Sequence, residues 1–168
     1  MPDQVVVLGS GYAGAGTVRS LERSLDDEAE ITWVSDIDYH LVLHESHRCI
    51  RDPGVREHVT IPIEDIKSPG TRFMQARVTG IDTERRVVEL EDGELDYDYV
   101  LVGIGSRTAF FGIEGLQKHA HTLKGLDDAL AIHDDLKQAA REATPEAPAP
   151  VAVGGGGQLR RPPWPGVA

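Results

Sequence analysis

The stretch that decides the fold is Val5-Val6-Val7-Leu8-Gly9-Ser10-Gly11-Tyr12-Ala13-Gly14. Its four aliphatic residues predict a buried parallel strand, and the spacing Gly-x-Gly-x-x-Gly predicts a tight turn that opens a helix. Gly9 would permit a sharp reversal, Gly11 would leave room for a pyrophosphate, and Gly14 would let the helix pack on the strand. Backbone N–H groups and the positive end of the helix dipole would face the phosphates. The stretch therefore predicts a dinucleotide-binding site.

The residues that follow predict a complete β-α-β unit. The helix is expected to run to about Leu25, and Ile31–Val34 predicts the second strand. In a dinucleotide site, an acidic side chain near the end of this strand holds the ribose hydroxyls. Ser35 and Asp36 stand at that place, and Asp36 is the acid of the two. The alternative interpretation is that Asp36 is an ordinary loop carboxylate.

The next segment, Tyr39–Ile50, predicts a helix with His40, His44 and His47 on one face. Three histidines on one face suggest a metal site, but their spacing is not that of His-Glu-x-x-His. We therefore interpret them as a polar face near a ligand pocket and predict no metal site. Cys49 is the single cysteine of the chain, which excludes an intramolecular disulfide and favours a structural thiol.

Short β-rich runs fill the middle of the chain. Thr71–Asp82 predicts a pair of strands, Arg86–Leu90 a further strand, and Leu95–Tyr99 its return after a turn. Together they predict a small antiparallel meander inserted into a protein with a parallel sheet. Tyr99–Ser106 predicts another buried strand beside the first one, where Gly105 would let the chain pass close to a cofactor.

Three segments divide the chain. Residues 1–142 are expected to form one α/β domain that ends in a helix from Asp127 to about Glu142. Residues 143–150 predict a Pro/Ala linker. Residues 151–168 begin like a second strand-to-glycine turn, but their prolines exclude a following helix.

The composition limits the possible partners and the compartment. The chain has 17 basic and 28 acidic residues, a net charge of -11, which argues against nucleic acid and anionic membrane surfaces as partners. A salt-loving host would explain this acidic surface, and so would an ordinary acidic cytosolic protein. The single cysteine and the absence of a long apolar run predict a cytoplasmic protein without a transmembrane segment.

Several of these features resemble the pyridine-nucleotide-dependent flavoprotein superfamily: the early glycine turn, the meander, the strand Tyr99–Ser106 and the glycine-rich start near residue 151. Within it, Asp38-Tyr39-His40-Leu41, Arg77–Asp82 and Phe110–Gly115 look like type II NADH dehydrogenases of archaeal, salt-adapted type. The resemblance implies a Rossmann-like FAD-binding domain that stops before the NADH domain.

The resemblance also implies a site and a reaction. The FAD pyrophosphate would be held by Gly9, Ser10, Gly11, Tyr12, Ala13 and Gly14, and the ribose by Ser35 or Asp36. Backbone at Val78 would meet the adenine, and Gly103 and Gly105 would lie near the cofactor. A hydride would pass from NADH to FAD and then to a quinone, in a full-length parent at the cytoplasmic face of the membrane. No catalytic residue is predicted.

Two alternatives remain open. One is a sulfide:quinone or coenzyme A-disulfide reductase relative, which the single Cys49 disfavours, and the other is a non-catalytic FAD- or NAD-binding module or sensor. Because such enzymes are more than twice as long, this chain alone is expected to be incomplete, and its exposed apolar surface would favour homo-oligomers. The tail after Gly157 suggests a shift of reading frame, which resequencing of the coding DNA would test.

Overall fold

The computed structural model describes residues 2–25 and 29–154. Its strands are β1 Asp3–Leu8, β2 Ala29–Ser35, β3 Tyr39–Leu41, β4 Thr60–Pro62, β5 Arg72–Gln75, β6 Val78–Asp82, β7 Val87–Leu90, β8 Gly93–Asp96 and β9 Tyr99–Val102. Its α-helices are α1 Tyr12–Ser24, α2 Arg48–Arg51, α3 Arg56–Val59, α4 Leu116–His119 and α5 Leu126–Glu142. Single 3-10 turns occupy Leu43–Glu45, Pro53–Val55 and Ile63–Asp65.

A parallel sheet with the order β5-β2-β1-β9 forms the centre of the fold. Strand β1 lies inside it, so the side chains of Val5–Leu8 are buried on both faces, as the unbroken aliphatic run predicted. Val7 points to α1 and packs with Val18 and Trp33. Val6 and Leu8 point to the opposite face, since successive side chains of a strand alternate. Each such burial contributes roughly 1.5–3 kcal/mol.

The antiparallel meander β6-β7-β8 covers the face of the sheet that α1 does not cover. Val88 of β7 and Tyr97, which follows β8, are buried against Val6 and Leu8. The chain therefore builds three layers, with α1 on one side of the parallel sheet and the meander on the other. The predicted α/β fold with an inserted meander is confirmed.

Two sequence predictions about strands are wrong in detail. The pair predicted over Thr71–Asp82 does not pair with itself: β5 joins the parallel sheet beside β2, and β6 belongs to the meander. The strand predicted over Tyr99–Ser106 does pair with β1, but it ends at Val102. It also lies at the edge of the sheet, with Tyr99 and Val102 more than half exposed.

The helix predicted over Tyr39–Ile50 is also wrong. The segment contains β3, a 3-10 turn and the four-residue α2. Strand β3 pairs with β4 in antiparallel register, with His40 opposite Ile61. Pairing with a strand twenty residues away therefore overrides the local helical pattern.

Contacts divide the chain into a unit over Met1–Asp134 and a unit over Asp135–Ala168. In the first unit, Ala129 of α5 is buried with Cys49 and Val59. In the second, the last turns of α5 lead to a turn at Thr144–Ala147, and residues 151–154 form neither helix nor strand. The strand expected there is absent, and the glycines after residue 154 lie outside the described residues. None of the described helices is long and apolar enough to cross a bilayer.

Candidate dinucleotide-binding site

The glycine turn between β1 and α1 is shaped by backbone contacts that leave no room for side chains. Gly9 has φ +96 and donates its N–H to the carbonyl of Val34 at 2.7 Å. A Cβ at Gly9 would overlap the carbonyl of Gly103, and one at Gly14 would overlap the carbonyl of Gly9. Glycine is therefore required at positions 9 and 14 by packing within the fold, as the sequence predicted.

Gly11 is different, because a Cβ there would have no atom of the chain within 4 Å. Its φ of -72 is also accessible to every residue. Neither strain nor packing explains why this position lacks a side chain. The space above it is open, which fits the approach of a ligand to the backbone.

The first turn of α1 carries the polarity that an anion needs. The helix begins at Tyr12 after the N-cap Gly11, no side chain caps it, and its first turn holds no acidic residue. The first N–H groups of a helix have no partner within the helix. Together with the helix dipole, they make this end attractive to phosphate oxygens.

The structure separates the two candidates for the ribose contact. Ser35 is 5 % exposed, and its hydroxyl donates to the hydroxyl of Ser10 at 3.0 Å. Its side chain therefore ties β2 to the glycine turn. Asp36 is exposed and lines a groove of about 420 Å³ with Gln75 and Arg77. Asp36 is the candidate whose carboxylate a ligand can reach.

That groove lies at the carboxyl ends of β2 and β5. Its far wall comes from the β7–β8 turn at Leu90–Asp92. The side chain of Val78 packs into the core with Val6 and Leu8, so only its backbone is left for the expected contact with an adenine, which stays a prediction. Arg77, one residue earlier, lines the groove.

The two glycines after β9 occupy different environments. Gly103 donates its N–H to the carbonyl of Leu8 at 2.8 Å, and a Cβ there would lie 3.0 Å from that oxygen and 3.2 Å from the nitrogen of Gly14. Gly103 therefore packs against the backbone of the glycine turn. Gly105 has φ +77, is exposed, and has open space where a Cβ would stand. The strand that precedes both glycines pairs with β1 as expected, and Gly103 contacts the turn directly. The proximity of Gly103 and Gly105 to a cofactor stays a prediction.

Contacts that the sequence analysis missed surround the turn. The indole N–H of Trp33 donates to the carbonyl of Gly9 at 2.9 Å, and Nδ1 of His40 lies 2.7 Å from the carbonyl of Ser10. The hydroxyl of Tyr12 lies 2.6 Å from Nδ1 of His44. The closely spaced histidines after β2 could have indicated these contacts. The predicted helix instead placed the histidine rings together on one helical face, and the structure has no such helix.

Cys49 is fully buried with Val59 and Ala129. Burial raises the pKa of its thiol, an effect that nearby Arg48 opposes in part. A buried thiol with a raised pKa is a poor nucleophile. These surroundings suit the structural role expected from the sequence. Across residues 2–25 and 29–154, no cluster of three His, Cys, Asp or Glu side chains has the arrangement of a metal site.

Comparison with known proteins places the chain in a family. Residues 3–159 match the pyridine nucleotide-disulphide oxidoreductase family. The type II NADH:quinone oxidoreductase of Staphylococcus aureus is 35 % identical over 147 residues, which are 85 % of this chain and 37 % of that protein. The chain thus spans just over a third of the length of the curated relatives it matches.

Solved structures share the fold. The sulfide:quinone oxidoreductase of Aquifex aeolicus superposes with a TM-score of 0.72 at 22 % identity, covering 83 % of this chain and 33 % of that one. NDH2 from Plasmodium falciparum in complex with NADH gives 0.72 at 23 % identity, covering 88 % and 32 %. The superfamily resemblance and the Rossmann-like fold predicted from the sequence are confirmed. With its open glycine turn, parallel sheet and inserted meander, the chain belongs to the FAD-dependent pyridine nucleotide-disulphide oxidoreductase family.

Proposed function

We propose that this chain is the FAD-binding part of an NADH:quinone oxidoreductase-like flavoprotein. The observation that carries the proposal is the open space at Gly11, beside an uncapped helix N-terminus and between two glycines that the fold itself requires. The similarity to type II NADH:quinone oxidoreductase supports the choice of enzyme class.

The residues present fit FAD. Backbone N–H groups at the start of α1 would bind the pyrophosphate, the carboxylate of Asp36 would accept hydrogen bonds from the ribose, and the groove at Arg77 would receive the adenine. Bound FAD supplies hydride and electron transfer, which in the parent enzyme would connect NADH to a quinone. This chain would contribute binding and orientation.

The remaining parts of the proposal concern organisation and location. Residues 1–142 would form the FAD-binding domain, residues 143–150 a linker, and residues 151–168 the start of a second glycine motif. We place the parent enzyme at the membrane surface on its cytoplasmic side, as the family resemblance implies; similarity to a type II NADH:quinone oxidoreductase supports a quinone as its electron acceptor. Turnover of NADH with a soluble quinone by a longer polypeptide would test the activity.

The first experiment is a titration of the full chain with FAD, followed by flavin fluorescence, with NADH as competitor. Saturable binding of FAD that NADH does not displace supports the proposal. Preferential displacement by NADH would assign the site to a nicotinamide cofactor and favour a sensor. Binding of neither would contradict FAD binding by this chain.

A matched pair of variants locates the binding. G11A and G16A each add one methyl group where no atom of the chain lies within 4 Å. Only G11A would fill the space proposed for the pyrophosphate. We expect G11A to weaken FAD binding about tenfold or more, the equivalent of one lost hydrogen bond to a charged group. G16A should bind as the unmodified chain does, and equal affinities of the two variants would argue against this placement.

A further inference from the structure

Ser10 lies in the middle of the glycine turn, and its polar groups are held from two directions. Its hydroxyl accepts from Ser35 at 3.0 Å, and its carbonyl oxygen lies 2.7 Å from Nδ1 of His40. His40 is 7 % exposed and belongs to β3, whose pairing with β4 fixes its backbone. The contact therefore joins the turn to a second, independently held element.

The direction of the hydrogen bond follows from chemistry. A carbonyl oxygen only accepts, so Nδ1 of His40 must carry the proton. In neutral histidine this selects the Nδ1–H tautomer. His40 is thus a donor of fixed position aimed at the carbonyl of Ser10.

The hydrogen bond between His40 and Ser10 also affects the orientation of the N–H of Gly11, because Ser10 and Gly11 share a peptide bond. The carbonyl of Ser10 and the N–H of Gly11 belong to one planar trans unit, in which they point in opposite directions. Gly11 itself has few conformational restraints. Holding the carbonyl of Ser10 toward His40 therefore aims the N–H of Gly11 the other way. We propose that His40 is a positioning residue that fixes the Ser10–Gly11 peptide plane for binding of the dinucleotide pyrophosphate.

The neighbouring aromatic contacts strengthen the arrangement. The ring of Tyr12 meets that of His40 edge-on, with centroids 4.9 Å apart and planes at 87°. The hydroxyl of Tyr12 is hydrogen-bonded to Nδ1 of His44 at 2.6 Å. The first residue of α1 is therefore held by the same segment as Ser10, so both sides of Gly11 are anchored.

The test compares variants of the full chain that differ in the donor they keep. An asparagine amide places its N–H near the former Nδ1, a glutamine amide places it near Nε2, and leucine removes it. We expect H40L and H40Q to weaken FAD binding about tenfold and H40N to bind within about threefold of the unmodified chain. H58L, which changes an exposed histidine of α3, is the matched control and should leave binding unchanged.

A second readout needs no ligand. Backbone 15N relaxation measured by NMR should give a lower order parameter at Gly11 in H40L and H40Q, a value near normal in H40N, and no change in the meander. The affinity measurement rests on the proposed function, so failure of the unmodified chain to bind FAD would contradict that function, whereas the relaxation measurement still tests His40. Equal order parameters at Gly11 in all variants, or equal losses in H40N and H40Q, would overturn the role of His40. If H40L does not fold, the comparison of H40N with H40Q decides.

Discussion

The three glycines of the turn are subject to two different constraints. Gly9 and Gly14 are required by the chain's own atoms, because a Cβ at either would overlap a backbone carbonyl. Gly11 meets no such limit, and the same holds for Gly16, where an added Cβ would also have no atom of the chain within 4 Å. At the residue scale, the contacts of an added methyl group therefore identify the glycines that the fold requires, whereas a glycine that a ligand requires is identified by comparing FAD binding of G11A and G16A.

Stability should separate the same glycines. In G14A the new methyl would collide with the carbonyl of Gly9 and push α1 from β1. We expect a loss of roughly 1–3 kcal/mol or more in the free energy of unfolding, as in other overpacked sites. Urea unfolding followed by circular dichroism measures it. G11A is the control, and a G14A midpoint equal to that of G11A would contradict the packing argument.

The thiol of Cys49 should react slowly in the folded chain. Burial raises its pKa, so a smaller fraction is thiolate at pH 8 than in an exposed cysteine, and the side chain is also inaccessible. We expect a thiol reagent such as DTNB to react with the native chain at least about tenfold more slowly than with the chain in 6 M guanidinium chloride. Equal rates would contradict the buried environment.

At the scale of elements, the sequence predicted structure that depends on neighbouring residues and missed strand pairing between residues distant in the chain. The strand-turn-helix at the start and the hairpin of the meander follow from short-range periodicity and turn residues, and both are present. The segment Tyr39–Ile50 has a helical spacing of histidines, but β3 pairs with β4, and this pairing is not encoded in local spacing. The anchoring of Ser10 by His40 depends on that pairing, so it was hidden for the same reason.

Helix α1 is also tied to the chain before β5 through Glu22. One carboxylate oxygen of Glu22 accepts hydrogen bonds from the backbone N–H of Ser68 at 2.7 Å and from the hydroxyl of Thr71 at 2.6 Å. Thr71 is nearly fully buried. The helix periodicity alone would leave Glu22 in solvent, whereas the structure gives it two partners.

Removal of this carboxylate should destabilise the fold. We expect E22A to lower the free energy of unfolding by about 1–3 kcal/mol, because it leaves the hydroxyl of Thr71 without its acceptor. E22Q keeps an acceptor oxygen and should lose less. S20A, an exposed change on the same helix, serves as the control in urea unfolding. An E22A midpoint equal to that of S20A would contradict the role of the two hydrogen bonds.

At the scale of the whole chain, the net charge and the start of α1 act on an anionic ligand in opposite directions. The net charge of -11 repels an anionic ligand, whereas the start of α1 attracts phosphate locally. Salt screens the long-range repulsion more than the short contacts, since the Debye length falls from about 10 Å at 0.1 M to about 3 Å at 1 M. The net charge of the whole chain therefore lowers the affinity of its proposed phosphate-binding site, and salt reduces this effect.

FAD affinity should consequently rise with salt. We expect the Kd for FAD to fall several-fold between 0.1 and 1 M NaCl, opposite to the behaviour of basic nucleotide-binding proteins. Fluorescence titration measures it, and competition by adenosine, which carries no phosphate, controls for effects of salt on apolar binding. A Kd that rises with salt would contradict the argument.

The order of strands in the parallel sheet has a consequence for biosynthesis. Strand β1 is made long before one of its two neighbours, β9, since the N–H of Gln4 bonds to Asp98, 94 residues later. At about 5–20 residues per second, a ribosome needs roughly 5–19 s to make that partner. Until then, the nascent β1 has only β2 to pair with. The aliphatic run that specifies the fold thus spends seconds with an open edge, and during this time a nascent chain is most prone to wrong strand pairing.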